Sequence, residues 1–298
     1  MAPTTRPPPP GARPTDEALR RIYTDPKNPG SFSGVKALYR QAKKDGIPVG
    51  EAAVKEFLQG ETAYTKHGRV IAAKKGVLNE RIITSGPYDL WEADLMDFPK
   101  ARPQLVDGGG NNRNSNRGIT GPKYILTVID VFTKYAWAEP LMKKTPAVVL
   151  KAFEAILNRG LPAQTQLNAL RTDAGTEFFN RPMKALYKAR GINHYRAQKE
   201  PGAAVVERFN RTLGDKFARY VTNNPAVSQR DLVAILPDTV TAYNNSLHSA
   251  VKDEPADLQE TAYATGGKDI HQVLEDLRRD PNAGKAEAEQ MMMAKYMA

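Results

Sequence analysis

The sequence predicts an α/β fold, a mixed five-stranded sheet flanked by helices, with a small helical module in front of it. Two observations carry this. After Tyr88, short β-branched and aromatic runs alternate with segments of helical periodicity in the order β-β-β-α-β-α-β-α-α. The chain, at 298 residues, is also long enough to bury one substantial core with small flanking modules.

Residues 1–14, rich in proline, read as a disordered leader without the apolar centre of a secretory signal. Residues 15–60 read as three short helices, DEALRRIY, SGVKALYRQAKK and GEAAVKEFLQ. Ser31 or Ser33 is placed to cap the second, whose apolar face is Val35, Leu38, Tyr39 and Ala42. A tight turn, Asp45-Gly46-Ile47-Pro48, precedes the third. Two readings stand for this basic segment: a helix-turn-helix-like DNA binder, or a bundle that packs on the core. Residues 61–86 form a basic linker in which His67, between Lys66 and Arg69, reads as solvated or phosphate-facing.

Residues 87–255 hold the main domain. Leu90 to Phe98 is its first strand, and the Gly/Asn-rich stretch Lys100 to Lys123 is a loop. Strands Tyr124 to Asp130 and Tyr135 to Leu141 follow, then a helix from Pro146 to Asn158 with proline in its first turn. Gln166 to Thr172 is a strand, a helix-like segment comes next, and GINHY is a short fifth strand. A helix from Ala203 to Tyr220 buries Val206, Phe209, Leu213 and Phe217, and another runs from Ser228 to Ser246. Residues 256–298 form a helical or flexible tail.

A net charge of +10 and a pI near 9.6 favour a polyanionic partner. The excess is concentrated early, with 14 Lys/Arg against 7 Asp/Glu in residues 1–79. The chain contains no cysteine, which excludes disulfides and zinc modules with cysteine ligands. No apolar run is long enough to span a membrane.

Several acids stand where strands end. Asp94 and Asp97 differ by three positions, so a regular strand turns them to opposite faces. Asp173 closes an apolar run and is followed by Gly175, which permits a tight turn. Glu207 lies 34 positions later on a helix, beside Asn210 and Arg211. Three such carboxylates suit a divalent ion that takes oxygen ligands and keeps an incomplete protein shell. Asp130, in VIDVFTKY, reads as a turn acceptor, Glu177 as a local cap or surface acid, and His194, Asn244 and His248 as structural.

Four blocks in order, WEADL, YILTVIDVFTKYAWAEPL, LRTDAGTEF and VVERFNRTLG, resemble the catalytic core of retroviral-type integrases. They look closest to those of Maverick/Polinton-type transposons and large DNA viruses. The resemblance implies an RNase H-like core. It selects Asp94, three residues after Trp91, with Asp173 and Glu207 as catalytic and metal-binding acids. It further implies two Mg²⁺ or Mn²⁺ ions, with Asp94 bridging both, Asp173 completing one site and Glu207 the other. The implied activity trims DNA 3′ ends and joins them to target DNA, with the protein a dimer or tetramer on donor and target DNA. Candidate DNA contacts are Lys43, Lys44, Lys143, Lys144, Gln198, Lys199, Asn210 and Arg211. The expected setting is intracellular, in a eukaryotic host nucleus or a virion. The 34-residue spacing is slightly shorter than in many retroviral relatives, and the 100–123 loop is longer. Two alternatives stay open: an integrase-derived DNA binder without catalysis, and a nuclease of the same fold that only hydrolyses.

Overall fold

In a computed structural model of the chain, residues 13–67, 84–99, 121–197 and 202–265 are described. The elements run α1 Pro14–Thr24, α2 Val35–Lys44, α3 Glu51–Gly60, α4 Thr62–Lys66, β1 Leu90–Asp97, β2 Tyr124–Asp130 and β3 Ala136–Leu141. They continue with α5 Pro146–Gly160, β4 Ala169–Thr172, α6 Arg181–Ala189, β5 Asn193–Arg196, α7 Ala204–Asn223, α8 Gln229–Asn244 and α9 Pro255–Thr265.

The sheet has the order β3-β2-β1-β4-β5. β2 runs antiparallel to both β1 and β3, while β4 runs parallel to β1 and β5 parallel to β4. A three-stranded meander extended by two crossover-connected parallel strands is the RNase H-like arrangement, as the element order leads one to expect.

Strand alternation sorts the two faces. Trp91, Ala93, Leu126, Val128 and Trp137 pack with Phe153, Ile156 and Leu157 of α5 and Met183 and Tyr187 of α6. Ile125, Ile129 and Ala136 face the other way, toward Val206, Phe209, Leu213 and Phe217 of α7 and Leu232, Leu236 and Tyr243 of α8. Gly160 ends α5 flat against two indoles; a Cβ there would sit 2.9 Å from Trp91 and 3.0 Å from Trp137.

The N-terminal helices join this second face. Leu19, Ile22, Tyr23, Leu38, Val54, Phe57 and Leu58 belong to the same apolar cluster as Phe217 and Tyr220 of α7. Two buried cations of α7 hold them there. Lys216 Nζ donates to Ser31 O at 2.6 Å and Ser31 Oγ at 3.1 Å, and Arg219 donates to the Phe32 carbonyl.

Several expectations need correcting. Neither Ser31 nor Ser33 caps α2; its N-cap is Gly34, and Ser31 is turned inward to accept from Lys216. Part of the expected linker is helix α4, and the half-buried His67 has its Nε2 2.8 Å from Thr222 Oγ1. β4 begins at Ala169, three residues later than expected; ahead of it the Gln166 side chain donates to the Gly191 carbonyl and the Asn168 side chain to Asp89. The chain past Pro255 begins as α9, whose Gln259 bonds Thr133 Oγ1 and Tyr88 Oη. The Pro-rich leader up to residue 12, most of the basic linker (68–83), most of the Gly/Asn-rich loop (100–120) and the Met-rich end lie outside the described residues.

Candidate active site

Because β1 alternates, Glu92 and Asp94 share the face turned to α7, while Trp91 and Ala93 point to α5. Trp91 is fully buried, and its indole N–H donates to Asp130. Asp130 also accepts backbone N–H groups from Tyr88, Phe132 and Thr133. It is a structural acceptor that ties the β2–β3 turn to the start of β1. Asp97 closes β1 in the open, its side chain 84% exposed and 3.7 Å from Lys144.

Asp94 is partly buried. Its Oδ1 accepts from Leu95 N at 2.8 Å and its Oδ2 from Asn210 Nδ2 at 2.8 Å. Burial holds its carboxyl above the ordinary range. The negative charges of Asp173 and Glu207 push the same way, while the Leu95 and Asn210 hydrogen bonds pull against them. The three acids are therefore within electrostatic reach of one another.

Asp173 follows β4 directly. The parallel pairing Ala93↔Thr172 sets it level with Asp94 across neighbouring strands. It is exposed, and its Oδ1 accepts from Gly175 N at 3.1 Å. Gly175 does not have a positive φ; what it supplies is room, since a Cβ there would lie 2.6 Å from the Glu177 carboxylate. Glu207, in the first turn of α7, is turned back along the chain. Its Oε1 lies 2.6 Å from where a Gly202 Cβ would stand, and Gly202 has φ +56. No three His, Asp or Glu side chains among the described residues are gathered closely enough to hold a metal ion.

The donor set nevertheless suits a hard cation. All three acids offer oxygen. Beside Asp94, the buried Oδ1 of Asn210 has no hydrogen-bond partner among the described residues, an acceptor that a cation-bound water would satisfy.

The candidate DNA contacts fare unevenly. Lys143 is exposed after β3, and Arg211 is exposed one turn beyond Glu207. Lys144 pairs with Asp97 and lies 4.4 Å over the Tyr124 ring. Lys43 is exposed at the end of α2, where Lys44 reaches Glu254 at 3.2 Å. Asn210 is partly buried, and its Nδ2 donates to Asp94. Gln198 and Lys199 lie outside the described residues. His194 is packed against Phe179 and Tyr187, and burial lowers it to about 4.

Sequence reasoning missed Glu92. It is fully buried, ion-paired with Arg171 and bonded to the amides of Val205 and Val206 at 2.9 Å each. The strand alternation that separates Asp94 from Asp97 also puts Glu92 beside Asp94, and that signal was present.

Comparison with known proteins finds a likeness over the segment that carries this geometry. Residues 84–200 match the sequence model of the integrase core domain. This segment resembles an integrase core domain. The match takes in Asp94 and Asp173 and stops before Glu207. The chain is 27% identical to a transposon-derived protein of Caenorhabditis elegans over 154 residues, 51% of this chain and 50% of that protein. It is 31% identical to the Pol polyprotein of radiation murine leukemia virus (strain Kaplan) over 155 residues, 51% of this chain and 22% of the polyprotein. The matched part of the integrase-like chain thus spans half or less of these relatives. Among solved structures, the HTLV-2 integrase catalytic core domain in complex with magnesium aligns with 59% of this chain and 99% of that one, at 14% identity and a TM-score of 0.44. No described helix is long and apolar enough to cross a membrane.

Proposed function

We propose that the protein is a divalent-metal-dependent DNA integrase that trims 3′ ends and joins them to target DNA. The observation that carries this is Asp94: a partly buried carboxylate on the central strand of an integrase core, facing the charges of Asp173 and Glu207. Asp94, Asp173 and Glu207 would hold two Mg²⁺ or Mn²⁺ ions. Bound there, the ions supply Lewis-acid activation of the attacking oxygen and charge stabilisation at the leaving oxygen.

Asn210 orients the Asp94 carboxylate through its Nδ2–H and keeps Oδ1 free to accept from a bound water. In trimming, water attacks a phosphodiester near the DNA end and a 3′-hydroxyl is released. In joining, that hydroxyl attacks a target phosphodiester, forming one P–O bond as another breaks. Neither step requires a covalent protein–DNA intermediate. Exposed Lys143 and Arg211 are positioned for phosphate contact, and a dimer or tetramer would bring one site to each DNA end.

Asp94→Asn, Asp173→Asn and Glu207→Gln are each expected to reduce end cleavage and joining at least about a hundred-fold with the fold intact, as loss of charge stabilisation does elsewhere. The assay is joining of a labelled blunt duplex to plasmid in Mg²⁺ or Mn²⁺. Near-wild-type joining by any of the three removes that residue from the site. Cut but never joined products from the wild type would mark a hydrolytic nuclease.

A further inference from the structure

Glu92 ties together the three segments that carry the acids. Its Oε1 receives the Arg171 guanidinium, and its Oε2 accepts both Val205 N and Val206 N at 2.9 Å. Glu92 and Arg171 are register partners across the parallel β1–β4 pair. Val205 and Val206 are the second and third residues of α7, whose leading N–H groups have no acceptor within the helix. The N-cap residue, Ala203, gives them no side-chain cap, so an acid from another element does so. Each attachment point stands one or two residues before a candidate catalytic acid: Glu92 before Asp94, Arg171 before Asp173, Val206 before Glu207.

We infer that Glu92 is a positioning residue that fixes β1, β4 and the α7 N-terminus to one another, and thereby the spacing of Asp94, Asp173 and Glu207; its consequence for catalysis rests on the integrase reading above. Glu92 is not itself a candidate ligand, because it is fully buried with three donors on its two oxygens. A plain buried ion pair would join β1 to β4 alone. The second oxygen, given wholly to the helix, extends the restraint to the element that carries Glu207.

The test uses three forms of the full chain: wild type, Glu92→Gln, and Glu92→Gln combined with Arg171→Gln. In the single variant the new amide cannot face the guanidinium and both helix N–H groups without setting donor against donor. In the double variant the amide introduced on β4 can accept, through its carbonyl, the N–H of the amide introduced on β1. The carbonyl of the β1 amide is then left for α7. Hydrogen exchange at the Val205 and Val206 amides, without metal or DNA, reads the clamp. A manganese titration followed by the EPR signal of free Mn²⁺ reads the acids.

The single variant is expected to exchange at least about ten-fold faster and to bind Mn²⁺ at least about ten-fold more weakly, the usual scale for outer partners of ligands. The double variant should recover both to within about three-fold of wild type. Wild-type Mn²⁺ binding in the single variant, no recovery in the double, or no Mn²⁺ binding by any form overturns the inference. If the single variant does not fold, the double variant decides by the same criterion. A wild type that shows the expected pattern but joins no DNA sinks the integrase reading and leaves the clamp standing. Joining unimpaired by Glu92→Gln does the reverse.

Discussion

At the scale of single residues, Asp94 combines burial with two like-charged neighbours, and the sign of the result is definite. Its carboxyl is raised above the 3.8 of the free group. Between 3.8 and that raised value the folded state binds more protons than the unfolded chain. Stability from this group therefore falls as pH rises through that window, and the deficit persists above it. Asp94→Asn is expected to melt about 2–4 °C higher than wild type in EDTA at pH 7, a typical response for a domain of this size. The same variant should show a smaller decline in stability from about pH 4 upward. Thermal melts in EDTA measure both. A lower melting point for the variant would mean that the hydrogen bonds from Leu95 and Asn210 outweigh the repulsion. Asp97 shows how little separates a candidate site residue from a surface one: three positions along the strand reverse the face, leaving it exposed beside Lys144.

At the scale of elements, α7 carries several duties at once. Its apolar face seats on the sheet, its first turn carries Glu207 and is capped by Glu92, and Lys216 and Arg219 in its fourth and fifth turns hold the N-terminal helices. Burial, and then Arg219, bring Lys216 down to about 7 from 10.5. Between these values the unfolded chain binds the extra proton, so this group makes stability climb with pH from about 7 to 10.5 and adds no slope below 7. Lys216→Met should lose that climb. It should also cost about 1–3 kcal/mol at pH 9 by leaving the Ser31 carbonyl without its buried donor. Urea unfolding at pH 6.5 and pH 9 checks it, and parallel pH profiles for variant and wild type would refute it. The helical segment read as either a DNA binder or a packing bundle does pack on the core. Its exposed Lys36, Arg40 and Lys43 leave DNA contact as a proposal.

At the scale of the whole molecule, a net +10 makes binding to a polyanion strongly dependent on ionic strength. If lysines and arginines neutralise about six phosphates, affinity for duplex DNA should fall by about a thousand-fold between roughly 50 and 200 mM salt. Fluorescence anisotropy with a labelled duplex measures the slope. A flat response would remove the electrostatic account of DNA binding. The sheet, meanwhile, separates two apolar clusters and sets Asp94 on the face that meets α7, with Trp91 and Asp130 anchoring β1 from the other side.

Periodicity is a local property, and what depends on it was readable in the chain itself. The kinds and order of the core elements, the face that Asp94 shares, the turn role of Asp130 and the Pro-initiated α5 all follow from spacings within a few residues. Nothing local encodes a partner 79 or 185 residues away. The Glu92–Arg171 pair, the turning of Asn210 to Asp94 and the insertion of Lys216 under Ser31 had to wait for the tertiary structure. A buried polar group must find a donor or acceptor wherever the packing leaves one, and only the closed fold decides which is within reach.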